Sequence, residues 1–107
     1  MKFGLKPHTI QTIQDVLAHY PQVDKAILYG SRAIGNYRNG SDIDLTLKGK
    51  DLDLSLQFKI EIELDDLMLP YMIDLSIFRN IENQDLIDQI NNFGKVFYRK
   101  SMVIPSE

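Results

Sequence analysis

The sequence predicts a single α/β (α+β) domain. Three observations carry that reading: a helical apolar pattern near the start, three short runs with strand periodicity, and a second helical stripe near the end. A chain of 107 residues builds one modest core and is too short to divide into two. Residues 1–107 are therefore read as one domain with a short C-terminal tail, 99–107.

Pro7 fits the first turn of a helix, Ile10, Ile13, Leu17 and Tyr20 recur at three- and four-residue spacing, and Pro21 ends the pattern. Lys25 to Tyr29 reads as the first strand and stops at Gly30. In the second, Ile43, Leu45 and Leu47 alternate with Asp42, Asp44 and Thr46, which places both carboxylates on one face. Tyr71 to Phe78 gives the third, with Tyr71, Ile73, Leu75 and Ile77 on one side and Met72, Asp74, Ser76 and Phe78 on the other. Leu86, Ile87, Ile90 and Phe93 form the last helical stripe, with Asn83 as its N-cap and Gly94 as its C′ residue before a short Val96 to Tyr98 segment.

Leu52 to Leu64 is ambiguous. Its apolar residues fall on every even position, so periodicity alone reads strand, yet 13 residues is long for a strand and a helix carries the chain back across a sheet more easily. As a helix it has two apolar stripes: Leu54, Phe58 and Ile62 on one side, and Leu56, Ile60, Leu64 and Leu67 nearly opposite. One stripe covers the sheet. The other is left in water unless something covers it, which predicts a protein partner or a homo-oligomer.

Composition narrows the function classes. Hydrophobic residues at 44% and charged residues at 25% are ordinary for a folded domain. A net charge of −3 gives no basic footprint for a nucleic-acid backbone, so direct nucleic-acid binding is not expected. The absence of Cys excludes disulfides, thiol chemistry and zinc-thiolate sites. With no apolar stretch of 18 residues and no signal-type leader, no membrane association is expected and the compartment is read as cytoplasmic.

The chemistry concentrates in GSRAIGNYRNGSDID. Gly30 lets the backbone turn tightly toward a phosphate, and Ser31 supplies a hydroxyl and the amide groups of any short helix that follows, a cradle for β- and γ-phosphates. Arg32 adds a charge-assisted contact to a phosphate or a rim salt bridge. Asp42 and Asp44 stand about 6.6 Å apart on one strand face, close enough to converge on Mg²⁺, which takes hard oxygen ligands from a few carboxylates together with substrate phosphates. In two-metal phosphoryl transfer the ion on the attacking side needs a third carboxylate, and Asp74 is the candidate. Without a cation three clustered carboxylates repel one another, so packing is a poor explanation for them.

Several other patterns carry less. Asp51-Leu52-Asp53 and Glu61-Ile62-Glu63 repeat the acidic spacing without an upstream Gly-Ser turn and read as a solvated face. Gly35 to Ser41 lacks the Lys and hydroxyl residue of a P-loop, and Leu45, Thr46 and Leu47 break an EF-hand pattern. His8 and His19 read as surface or packing residues, and Tyr29, Tyr71 and Tyr98 as buried rings with a polar tip.

Taken in order, GSRAIG, SDIDL ten residues beyond Ser31, and YMIDLSIF resemble the minimal nucleotidyltransferase (MNT) family of the polymerase-beta-like nucleotidyltransferase superfamily, over nearly the whole chain. The resemblance implies a small mixed β-sheet flanked by helices, with Leu52 to Leu64 helical. It implies triphosphate at Gly30 and Ser31, Mg²⁺ as two ions on Asp42 and Asp44, and Asp74 completing the site. Many members carry a basic or aromatic residue where this chain has Ile34. The chain leaves no room for a separate acceptor-binding domain, and in the minimal family a helical HEPN protein fills that role, often a toxin ribonuclease silenced by AMP transfer to a tyrosine. By resemblance the expected function is therefore an antitoxin of a toxin–antitoxin system, a protein adenylyltransferase that uses ATP. The alternatives are a catalytic subunit that nucleotidylates a small molecule, and an antitoxin that acts by binding alone through the spare stripe and the Arg99 to Glu107 tail.

Overall fold

Pro7 occupies the first turn of α1 (Pro7–Ala18), where its missing N–H removes no bond, and Ile13, Val16 and Leu17 form the buried face. The computed structural model describes residues 1–100, so most of the expected tail, residues 101–107, lies outside the described residues. After α1 the chain runs through β1 (Lys25–Tyr29), α2 (Ser31–Ile34), β2 (Ile43–Lys48), α3 (Leu54–Asp65), β3 (Ile73–Ile77), a 3₁₀ turn (Phe78–Asn80), α4 (Gln84–Phe93) and β4 (Lys95–Arg99). The strands form one sheet in the order β3-β2-β1-β4. β1 is antiparallel to β2 and β4, whereas β2 and β3 are parallel, so the sheet is mixed.

That one parallel pair explains α3. Joining parallel neighbours requires a crossover, and a helix satisfies its own backbone on the way. The strand-like alternation of Leu52 to Leu64 is thus overruled by topology. Asp53 caps the helix by accepting from the Leu56 amide at 2.8 Å, which accounts for one of the spare acidic pairs. Of the two predicted stripes, Ile60 and Leu64 are buried and Leu56 and Leu67 pack against the core. The opposite stripe faces water: Leu54 is 70% exposed, Phe58 63% and Ile62 48%. Glu63 is not merely solvated either, since it accepts from the Tyr20 hydroxyl at 2.7 Å and lies 2.5 Å from His19 Nδ1, tying α3 to the end of α1.

The alternation of β2 divides the two sides of the sheet. Ile43, Leu45 and Leu47 are fully buried beneath α1 and α3, in the cluster that also holds Leu28, Leu75 and Ile77. On the other side, Ile27 and Tyr29 pack with Ile90 of α4 in a smaller cluster. Asn83 caps α4 by accepting from the Leu86 amide at 3.1 Å. Gly94 ends that helix without the left-handed geometry expected of a C′ glycine, at φ −63°. Space is what requires glycine there, because a Cβ would stand 2.6 Å from Ile27 Cγ2 and collide with the Ile90 carbonyl oxygen. No helix among the described residues is long and apolar enough to cross a membrane.

Candidate active site

β1 delivers the chain to the turn expected to hold phosphate. Gly30 has φ +76°, a region L side chains rarely adopt, and a Cβ there would collide with Asp44 Oδ2. Glycine is therefore needed twice over, once for the turn and once to let the turn lie against the carboxylate. The Gly30 carbonyl accepts from the Ala33 and Ile34 amides, both at 3.1 Å, which starts the one-turn helix α2 and leaves Ser31 half-buried at its first position.

Strand register places the acids. Asp44 of β2 pairs directly with Asp74 of β3, and since neighbouring strands lie about 4.8 Å apart, the two carboxylates stand side by side on one face. Asp42 sits two residues before Asp44, exposed and just ahead of the strand. Burial raises the Asp44 pKa above the ordinary carboxylate range, and the negative charges of Asp74 and Asp42 raise it further. Among the described residues no three His, Cys, Asp or Glu side chains are grouped tightly enough to hold an ion as they stand. The register puts the Cα of Asp44 about 5 Å from that of Asp74 and about 7 Å from that of Asp42, with Asp42 and Asp74 about 8 Å apart on the diagonal, a spacing that side-chain rotation can span. Hard oxygen donors under mutual repulsion are the donor set that suits Mg²⁺, so the residues present fit that ion.

Arg32 departs from expectation. The side chain is 2% exposed and its guanidinium donates to backbone carbonyls: Nε to Ser41 at 3.1 Å, one terminal nitrogen to Phe3 at 2.9 Å, the other to Ser41 at 2.9 Å and Asn39 at 3.3 Å. Its Cζ also lies 5.3 Å from the Tyr37 ring centroid and 4.9 Å from that of Tyr71. Neither the phosphate contact nor the rim salt bridge describes this geometry. Arg32 instead fastens the loop that follows α2 at Ser41, the residue before Asp42, and braces it against Tyr71, three residues before Asp74. A single Arg read in sequence gave no sign of this, because carbonyl acceptors have no residue signature.

The layer beneath the acids was also missed by sequence reasoning. Thr46 is fully buried and accepts from the Ser76 hydroxyl at 2.9 Å, linking β2 to β3 two residues beyond the paired aspartates. Tyr29 pairs with Asp44 across β1 and β2. Its phenol pKa is pushed up by burial and by the charges of Asp74 and Asp44, against a lowering contact from Ser76. The matched positions Thr46 and Ser76 on the two strands were the available signal.

The family profile described as Polymerase beta, Nucleotidyltransferase matches residues 11–102. No curated protein matches the chain by sequence. Among solved structures, a chain of a toxin–antitoxin complex with AMP-PNP is similar at TM-score 0.68 and 23% identity, covering 87% of this chain and 75% of that one. A complex of the tri-AMPylated HEPN toxin of Shewanella oneidensis with an MNT antitoxin is similar at TM-score 0.66 and 20% identity, covering 92% and 76%. A mutant MntA toxin–antitoxin complex is similar at TM-score 0.63 and 25% identity, covering 86% and 71%. A profile match spanning most of the chain, on a fold those structures share, settles the family: the chain belongs to the Polymerase beta, Nucleotidyltransferase family.

Proposed function

We propose that this protein is an antitoxin that silences a HEPN-type toxin ribonuclease by transferring AMP from ATP to one of its tyrosines, in the cytoplasm. The observation that carries the reading is the in-register pairing of Asp44 with Asp74 against the Gly30–Ser31 turn. Support for the donor and acceptor comes from similar structures, one solved with AMP-PNP and one containing an AMPylated HEPN toxin.

On this reading Gly30 and Ser31 receive the β- and γ-phosphates where the backbone is free of side-chain bulk. Asp42, Asp44 and Asp74 would hold Mg²⁺, as two ions, which supplies charge neutralisation along the triphosphate and at the attacking oxygen. The phenol oxygen of the acceptor tyrosine attacks the α-phosphorus in line, and the bond to pyrophosphate breaks as the new P–O bond forms. Asp74 is exposed on the edge strand β3, where an incoming protein reaches it, and takes the phenolic proton. Arg32 touches no reacting atom on this scheme; it keeps Asp42 in place through the Ser41 carbonyl.

The test is co-expression with the product of the neighbouring gene, incubation with ATP and Mg²⁺, and intact mass spectrometry of that product. Addition of AMP mass that disappears with Asp42→Asn is the expected result. A stable complex with no added mass would replace this reading with neutralisation by binding, and transfer only to small hydroxyl compounds would make the chain a small-molecule nucleotidyltransferase.

A further inference from the structure

The exposed stripe of α3 is continuous with the start of β3. Phe58 and Ile62 meet Met72 and Ile73 in a cavity of about 320 Å³ whose rim carries Glu61 and Asp65. Phe58 is 63% exposed and Met72 74%, far more apolar surface than isolated exposed side chains need explaining. We propose that this groove is the docking site for a helix of the protein acceptor, one with apolar residues at three- and four-residue spacing flanked by Lys or Arg. The inference rests on the adenylyltransferase reading and names the surface that presents the acceptor to it.

Three features select that occupant. Charge comes first: the lining holds two carboxylates and no cation. A second copy docked face to face would bring Glu61 and Asp65 of both copies into one desolvated interface, which is costly without cations. A basic partner removes that penalty. Second, the free edge of β3 is stopped against strand addition, because Gln57 Nε2 already donates to the Leu75 carbonyl at 2.9 Å. The Met72 carbonyl accepts from Ile43 on β2, so the Leu75 carbonyl, three residues on, is on the outer edge that an added strand would use. A helix laid in the groove needs no such bond. Third, the groove leads to the carboxylates: Met72 stands two residues before Asp74, about 6.6 Å along the strand. A helix seated on Phe58 and Met72 therefore holds its neighbouring segment beside Asp74.

The experiment compares the full-length chain with Phe58→Ser/Met72→Ser and with Glu61→Lys/Asp65→Lys, each mixed with the product of the neighbouring gene. Complex formation is read by light scattering on a sizing column, transfer by intact mass, and ATP affinity and melting temperature on the chain alone. The expected result is a complex weakened about tenfold or more by the apolar double substitution, a smaller loss from the charge reversal that disappears at high salt, and ATP affinity and melting temperature unchanged in both. Undiminished complex and transfer with the apolar variant overturn the inference. So does a wild-type homodimer that the apolar variant dissolves while partner binding persists. A wild-type complex that transfers nothing removes the adenylyltransferase reading instead, and the groove then stands or falls by whether Phe58→Ser/Met72→Ser breaks the complex.

Discussion

The two faces of the sheet differ in what their residues are for. Along β2, Ile43, Leu45 and Leu47 point into the larger cluster and are fully buried. Their neighbours Asp42 and Asp44 point the other way and remain reachable. α1 and α3 close the first face completely, whereas α4 covers the second only over β1, where Ile90 meets Ile27 and Tyr29. The part left open, at the start of β2 and β3 ahead of the buried Thr46, is where the carboxylates stand. Because side chains alternate with period two, stability and chemistry are written on the same six residues without sharing any of them. Substitutions one position apart should therefore fail in different ways.

The largest effect is expected on the open face. Asp44→Asn removes a charged metal ligand without changing shape, so transfer should fall by about three orders of magnitude or more while the variant melts no lower than wild type. Measured side by side, AMP transfer and thermal unfolding decide it; a variant that keeps wild-type turnover removes the proposed site. One residue along, Leu45→Ala should do the reverse, costing about 2–5 kcal/mol of stability and leaving transfer per folded molecule unchanged. Urea unfolding with activity scored below the midpoint checks it. If both variants lose stability and activity together, the two faces are not separable and the comparison fails.

Gly30 is where the faces meet, and it gives a mixed effect of intermediate size. Gly30→Ala puts a Cβ where φ is +76° and ψ −155°, a conformation used almost only by glycine, at about 1–3 kcal/mol, and into Asp44 Oδ2. The expected result is a modest drop in melting temperature with a disproportionate loss of ATP binding. Equal losses from Gly30→Ala and from alanine at the open Gly35, which has no atom within 4 Å of its added Cβ, would show that backbone strain rather than contact with Asp44 sets the cost.

Most of this division was legible beforehand. Alternation in Ile43 to Leu47 named both faces, and the spare stripe of α3 was foreseen as Leu54, Phe58 and Ile62 because helical spacing separates them from Ile60 and Leu64. Two kinds of information were not. Periodicity alone reads Leu52 to Leu64 as a strand, and the helix that α3 forms is reached only through the length of the run and the family resemblance. A local pattern carries nothing about whether β2 and β3 run parallel, the pairing that demands a crossover helix. The charge of Arg32 and its place after Gly-Ser suggest a phosphate contact or a rim salt bridge. Its actual partners are carbonyls of Phe3, Asn39 and Ser41 brought in by loop folding, which no residue type announces. Gly94 misled in the same way, as the crowding from Ile27 that requires it comes from a strand 67 residues earlier in the chain.

The smallest expected effect is the most direct measure of what the open face costs the fold. The Asp44 pKa is raised, first by burial and then by Asp74 and Asp42, while in the unfolded chain it returns to about 3.9. Between those two values the native state binds more protons than the unfolded state, so stability falls as pH rises through that window, and the deficit persists at every higher pH. Glu63 works in the opposite sense. Its pKa is lowered, chiefly by the Tyr20 hydroxyl and also by His19, so its contribution is present above the ordinary glutamate range and is lost as pH falls below it. Total stability against pH mixes the two, but the difference between wild type and Asp44→Asn does not. The variant should melt slightly higher than wild type near pH 7, and the gap should close as pH is lowered to about 4 and below. Mg²⁺ at neutral pH should raise the melting temperature of wild type more than that of Asp44→Asn, because a cation relieves the repulsion that the substitution removes. Parallel curves for the two proteins at all pH values, with equal responses to Mg²⁺, would mean that Asp44 does not feel its neighbours, and the open face would then be no less stable than the closed one.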